Sequence, residues 1–264
     1  MMRCIVTGAA RGIGRAIALR LGRDAASHGG ARIALVDQHA AELESLATAI
    51  RQQGGTALVL AGDLGDAALP ARLCAEAVTA FGGLDALVNN AGFAVPAPLA
   101  TCDAATWDRV FAVNTRAPFL LAQAAYPALK ATCGSVLFVT SISATHATPP
   151  LGAYSASKAA TLMLMRQMAA EWGADGIRVN ALSPGLTRTP GTESAYRDPQ
   201  ARRQREARVP LRRLAEADDM AGVAAFLLGP GAGYVTGAEL LVDGGLSQTL
   251  MGSLPMGGWA GRAG

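Results

Sequence analysis

The chain has 264 residues, 51% of them hydrophobic and only 5% aromatic, with a net charge of +3. That length buries a full core without disulfide staples, and so small a charge, without a basic run, argues against a nucleic-acid partner. Cys4, Cys74, Cys102 and Cys133 lack metal-ligand spacing, so buried, reduced thiols, no metal and a cytoplasmic location are expected. Met1-Met2-Arg3 leads directly into a strand, so no signal peptide is expected. No apolar run reaches about 18 residues, so no membrane span is expected either.

In chain order, Cys4-Ile5-Val6 is a short apolar strand running into Thr7-Gly8-Ala9-Ala10-Arg11-Gly12-Ile13-Gly14. A strand that turns sharply into a helix, with its backbone close to a pyrophosphate, needs residues without a Cβ. Free N–H groups at the start of the following helix then face the phosphates. Gly8, Arg11, Gly12, Ile13 and Gly14 are therefore candidate dinucleotide contacts, the alternative being a plain strand-to-helix turn. Ile13, Ile17 and Leu21 recur every four residues and predict the buried stripe of that helix.

Ile33-Ala34-Leu35-Val36 is a second strand ending at Asp37, where a carboxylate can accept from the ribose hydroxyls and repel a 2′-phosphate. NAD is thus expected as coenzyme rather than NADP, with Arg11 and Arg32 as nearby cations able to offset the repulsion. A helix carrying Leu43, Leu46 and Ile50 follows, broken at Gly54-Gly55. Further strands are expected at Ala57–Leu60, Ala86–Val88, Val136–Val139, Val179–Leu182 and Leu240–Val242. Apolar strands separated by helices predict an α/β fold, a parallel sheet with helices on both faces. One domain is expected over residues 1–246, with an irregular stretch at 190–213 and a Gly-rich tail over 247–264.

Tyr154 and Lys158 stand four apart on a predicted helix and so share a face. A phenol is a poor base at neutral pH, and a cation fixed beside it is expected to lower its pKa. Tyr154 could then exchange a proton with a substrate oxygen while hydride moves to or from a nicotinamide. Ser141, at the end of a strand, can donate a hydrogen bond to the same oxygen. Asn114 follows Phe111-Ala112-Val113 on another helix.

These motifs, with Asp63-Leu64, Asn89-Asn90-Ala91-Gly92, Pro184-Gly185, Tyr234-Val235-Thr236-Gly237 and Val242-Asp243-Gly244-Gly245, resemble the classical short-chain dehydrogenase/reductase family over roughly residues 3 to 246. The resemblance implies a single doubly wound Rossmann-type domain whose seven parallel strands lie in the order 3-2-1-4-5-6-7. It also implies that Asn114 anchors a water reaching Lys158, that Asp63 and Leu64 flank the adenine, and that Asn90, Ala91 and Gly92 line the adenosine side. Pro184, Gly185, Thr187 and Thr189 would meet the carboxamide or pyrophosphate. Phe93, Ser143, His146 and Leu151 would line the substrate pocket, although a loop histidine is also read as merely solvated. The connection Asp24 to Gly30 departs from the family by a few extra residues.

The family's variable lid falls at Pro190 to Arg213, where seven arginines suit an anionic group or simply a solvated helix; Asp198-Pro199 is a good helix start. The expected activity is NAD-dependent oxidation of a secondary alcohol to the ketone, with cyclic alcohols and diols among the candidate substrates. The alternatives are an NADPH-dependent 3-oxoacyl-[acyl carrier protein] reductase and a non-catalytic NAD sensor or scaffold. An enoyl reductase is disfavoured, because that branch spaces its Tyr and Lys more widely. A homo-oligomer, tetramer or dimer, is expected, and Met251, Leu254, Met256 and Trp259 of the tail are read either as packing on a neighbouring subunit or as a disordered end.

Overall fold

The computed structural model describes residues 1–25, 30–149 and 151–249. Strands and helices alternate: β1 (Met2–Thr7), α1 (Gly12–Ala25), β2 (Ala31–Asp37), α2 (Ala40–Gln52), β3 (Thr56–Ala61), α3 (Leu69–Phe81) and β4 (Ala86–Asn89). Then come α4 (Ala104–Phe111), a π-helical turn (Ala112–Arg116), α5 (Ala117–Thr132), β5 (Ser135–Val139), α6 (Tyr154–Trp172) and β6 (Arg178–Pro184). A short strand β7 (Thr187–Arg188), the lid helices α7 (Glu193–Tyr196) and α8 (Pro199–Arg208), β8 (Ala215–Glu216), α9 (Ala217–Leu228) and β9 (Glu239–Val242) complete the order. The tail residues Met251, Leu254, Met256 and Trp259, and residues 26–29 of the long connection, lie outside the described residues.

Seven strands form one sheet in the order β3-β2-β1-β4-β5-β6-β9, all pairings parallel. With β9 as the seventh strand of the sheet, this is the expected 3-2-1-4-5-6-7 order. Side chains alternate across each strand. Cys4, Val6, Ile33, Leu35 and Leu137 face a core shared with Ile17, Leu43, Leu46, Ile50, Met220 and Leu227 from α1, α2 and α9. Ile5, Ala34, Val36, Val136 and Phe138 face a second core with Leu73, Phe81, Leu121, Leu129, Leu162 and Met165 from α3, α5 and α6. Both faces are dry, which is why these strands read as unbroken apolar runs.

The strand order reverses between β1 and β4, and such a crevice at the carboxyl ends of parallel strands is where open α/β sheets bind ligands. The lid is less irregular than expected. Asp198 caps α8 by accepting from Gln200 N–H at 2.9 Å. The thiols also differ from expectation: all four cysteines are free, but only Cys4 and Cys74 are buried, while Cys133 is exposed. Cys133 closes α5 in the left-handed conformation (φ 50°), a C-terminal position that turns a side chain out of the helix packing.

Candidate active site

The glycine turn joins β1 to α1, and two of its residues, Gly8 (φ 65°) and Gly12 (φ 55°), are left-handed. A Cβ on Gly14 would stand 2.2 Å from the Gly8 carbonyl oxygen, and one on Gly8 2.7 Å from Asn90 Nδ2. The first N–H of the helix to close a turn is that of Arg15, onto Arg11 O at 3.3 Å. The amides of Gly12, Ile13 and Gly14 come ahead of it, at the positive end of the helix. Thr7 ties the turn to the next strand: its Oγ1 accepts from Asn90 N–H (3.0 Å) and Ala91 N–H (3.1 Å). Asn90 Nδ2 in turn donates to Thr7 O and Gly8 O. Asn90 and Ala91 thus lie against the turn.

Asp37 closes β2, and Ala10 N–H of the glycine turn donates to its Oδ2 at 3.2 Å. His39 also meets it: His39 N–H and Nδ1 lie 3.2 and 2.7 Å from Oδ1. Arg11 is ion-paired with Glu42 in the first turn of α2. Arg32 does not stand near Asp37. It pairs with Thr56 at the start of β2, whereas Asp37 pairs with Ala61 at the far end, and its guanidinium donates to Phe81 O. Five intervening steps at roughly 3.3 Å each separate the two residues along the strand, so the expectation that Arg32 offsets the charge of Asp37 is corrected.

Asp63 and Leu64 follow β3. The Asp63 carboxylate is gripped by Arg109 (2.7 and 2.8 Å) and by Gly65 N–H (2.9 Å), and these bonds hold it below the usual carboxylate range. Leu64 is buried. On the opposite side, Thr189 reaches the turn: a Cβ on Gly12 would stand 3.2 Å from Thr189 Cβ. Gly185 packs on Asp243 so closely that a Cβ would lie 2.6 Å from Asp243 Cα, and Pro184 pairs with Val242. Thr187 Oγ1 donates to Gly185 O, and Thr192 closes the same loop onto Thr187 O and Thr189 N–H.

The predicted proton-transfer residues do come together. Tyr154 opens α6, and Lys158 lies one turn on, its Nζ 5.8 Å from the Tyr154 ring centroid. Lys158 is buried and donates from Nζ to Val139 O at 2.8 Å, which pins it to the end of β5. Ser141, two residues past that strand, accepts from Ser143 N–H at 3.1 Å and hydrogen-bonds Tyr154. Asn114 is buried in the π-helical turn, where its Nδ2 donates to Phe93 O and Ser157 Oγ and its Oδ1 accepts from Phe93 N–H. A Cβ on Gly92 would lie 3.1 Å from Lys158 Nζ and 3.2 Å from Asn114 Oδ1, so these three residues converge.

The electrostatics depart from the expected lowering of the phenol. Burial pushes the Tyr154 phenol above its ordinary value, and the hydrogen bond with Ser141 opposes this. Burial also pushes the Lys158 ammonium down to about 8. Desolvation penalises the charged form of both groups, and spacing along a helix does not reveal it. Of the pocket candidates, Ser143 is buried with its Oγ 2.8 Å from Thr148 Oγ1. His146 is exposed, its Nδ1 3.0 Å from Thr145 Oγ1. Leu151 forms a parallel bridge with Ala97. In the lid, Arg202 pairs with Glu206, Arg213 with Asp219, and Arg205 lies over the Tyr196 ring. A cavity of about 160 Å³ lined by Leu186, Val209, Leu211 and Val242 sits behind the lid, away from Tyr154.

Sequence reading missed His39, Glu42, Arg109 and Ser157. Only His39 had a local signal, being two residues past Asp37, where it can close an Asx-type turn. The site fits a nicotinamide dinucleotide. Its glycine cradle would be filled by any Cβ, it offers helix-start amides, and it carries a carboxylate at the end of β2.

A family model for enoyl-(acyl carrier protein) reductases matches residues 8–247. L-rhamnose 1-dehydrogenase (NAD(P)(+)) of Azotobacter vinelandii is 39% identical over 252 residues, spanning 93% of this chain and 96% of that protein. D-threitol dehydrogenase of Mycolicibacterium smegmatis is 38% identical over 243 residues, 91% of each chain. The crystal structure of a putative NAD(P)-dependent gluconate 5-dehydrogenase from Beutenbergia cavernae, with bound NADP, superposes with a TM-score of 0.87 at 34% identity, covering 94% of this chain and 97% of that one. The chain belongs to the classical short-chain dehydrogenase/reductase family. It is an oxidoreductase that acts on CH–OH donors, interconverting a secondary alcohol and its ketone with a nicotinamide coenzyme. Among the described residues, no helix is long and apolar enough to cross a membrane.

Proposed function

We propose that the protein is an NAD-dependent dehydrogenase of a small polyhydroxylated secondary alcohol, such as a sugar, polyol or vicinal diol, working in the cytoplasm as a homo-oligomer. The observation that carries the reading is the convergence of Tyr154, Lys158 and Ser141 beside the glycine cradle at one end of the sheet. The hydroxyl-rich rim of Ser143, Thr145, His146 and Thr148 suits a substrate with several hydroxyls, as do the sugar and polyol named for the two relatives. Phe93 and Leu151 supply the apolar part of that rim.

Gly8, Gly12, Ile13 and Gly14 would hold the pyrophosphate side of the coenzyme, Asp37 the ribose hydroxyls, and Arg11 would stand at the edge of that ribose. Asp63, Leu64, Asn90, Ala91 and Gly92 would line the adenosine half, and Pro184, Gly185, Thr187 and Thr189 the nicotinamide half. A nicotinamide held there would supply the hydride acceptor for the carbinol carbon. Ser141 donates a hydrogen bond to the substrate oxygen and orients it. Tyr154, as the phenolate, takes the hydroxyl proton as the C=O bond forms and becomes a neutral phenol; Lys158, while charged, favours the phenolate before that transfer. Asn114 holds Phe93 and Ser157 in place beside Lys158. The basic phenolate gains population as pH rises, so alcohol oxidation should climb from neutral pH, with the loss of the Lys158 charge above about 8 opposing the rise.

The test is a panel of secondary alcohols, cyclic diols, polyols and 3-oxoacyl thioesters, with NAD and NADP, in wild type and Tyr154→Phe. Oxidation of a polyol or diol with NAD preferred is expected. Tyr154→Phe should lose about 10²–10⁴-fold in turnover while still binding coenzyme by titration. A variant retaining a tenth of the rate removes Tyr154 from the proton transfer, and NADPH-driven thioester reduction alone would replace this reading with the reductase one.

A further inference from the structure

We propose that Glu42 is a coenzyme-selectivity residue, which works by holding Arg11 away from the adenosine 2′ position. The inference rests on the NAD reading above and extends it. Arg11 is the cation of the glycine turn, and Ala10, its neighbour, donates its N–H to Asp37. The Arg11 guanidinium therefore starts one residue from the carboxylate assigned to the ribose. A free guanidinium there would offer a 2′-phosphate a charge-assisted partner. It is not free: Glu42, one turn into α2, ion-pairs with it, and each side chain is about half-exposed. Glu42 reaches it because α2 begins directly after the Asp37–His39 turn, which delivers its first turn to the rim of the glycine loop.

Three further facts fit. Arg11 is the largest cause holding the Glu42 carboxyl below its ordinary range, and His39 contributes in the same direction. His39, bonded through both N–H and Nδ1 to one oxygen of Asp37, leaves that carboxylate fixed against Ala10. Arg32, the basic residue of β2, is spent on Phe81 O at the opposite end of the strand. The 2′ end of the site thus presents two carboxylates and one neutralised guanidinium. Selection against a 2′-phosphate then has two sources: the charge of Asp37 and the sequestration of Arg11.

The experiment compares kcat/KM and dissociation constants for NAD and NADP in wild type, Asp37→Ser, Glu42→Gln, Arg11→Ala and the Arg11→Ala/Glu42→Gln double variant, with melting temperatures to verify folding. An exposed ion pair is a weak restraint, so Glu42→Gln should shift the NADP/NAD ratio only about two- to fivefold toward NADP. The shift should disappear in the double variant, because it acts through Arg11. If Asp37→Ser leaves the ratio unmoved, the NAD reading fails and the inference goes with it. If Asp37→Ser moves the ratio but Glu42→Gln does not, the reading stands and the inference is overturned. A Glu42→Gln shift that persists without Arg11 overturns it too, since Glu42 would then act by its own charge.

Discussion

Lys158 illustrates how a residue can be useful to the site and costly to the fold. Its ammonium is buried with a single named partner, the Val139 carbonyl, and burial lowers its pKa from 10.5 to about 8. The unfolded chain holds this proton up to about pH 10 and the folded chain only up to about 8. Between those values the unfolded state binds more protons, so the native state gains stability as pH rises through the window; below about 8 the penalty is fully present. Lys158→Met removes the titration, and constant costs such as the unpaired Val139 carbonyl cancel when each protein is compared with itself. From pH 7.5 to 9.5 the wild type should gain about 2 kcal/mol more than Lys158→Met in urea unfolding. Equal changes in the two proteins would show that the ammonium is not desolvated.

At the scale of elements, helix α1 makes the contrast between a glycine required by geometry and one that is not. A Cβ on Gly14 meets the Gly8 carbonyl and Asn90, backbone and anchored amide, so Gly14→Ala must open the turn. Overpacking of this kind costs roughly 1–3 kcal/mol, and coenzyme binding should fall with it. Gly22, two turns further along the same helix, has room: the nearest atom to a Cβ added there is Gln53 Oε1, at 3.5 Å. Gly22→Ala should therefore stabilise the protein by about 0.5–1 kcal/mol with NAD affinity unchanged. The pair is read by thermal unfolding and coenzyme titration; loss of stability at Gly22 would mean that α2 cannot yield there. The π-helical turn at Ala112–Arg116 is the corresponding device around Asn114, carrying its side chain to Phe93 and Ser157.

At the scale of the whole molecule, the sheet of the described residues ends on one side at β9, whose one neighbour there is β6. Leu240 and Leu241 on that edge, Phe226 on α9 and Tyr234 between them are exposed. An unpaired edge with apolar side chains is a surface prone to self-association. If the proposed homo-oligomer is built on this face, Leu241→Glu should lower the mass measured by light scattering toward that of a smaller assembly while leaving far-ultraviolet circular dichroism unchanged. An assembly of unaltered mass would place the interface elsewhere.

Much of this protein was decided locally and could be read from its residues in order. The glycine turn follows from sterics within eight residues, the Tyr154/Lys158 pairing from the pitch of one helix, and the parallel sheet from largely apolar strands separated by helices. Joined with the further motifs from Asp63-Leu64 to Gly244-Gly245, they carried the resemblance to the family, which implied the strand order. Only the tertiary structure decided where charges ended up. It put Arg32 at the wrong end of β2 to help Asp37, gave Arg11 to Glu42 thirty-one residues away, and gave Asp63 to Arg109 forty-six residues away. It also buried Lys158 and half-buried Tyr154, which shifts both against their charged forms, and left Cys133 exposed. Ion pairs between distant segments and the loss of water around a group are properties of the packed whole, so no spacing along the chain encodes them.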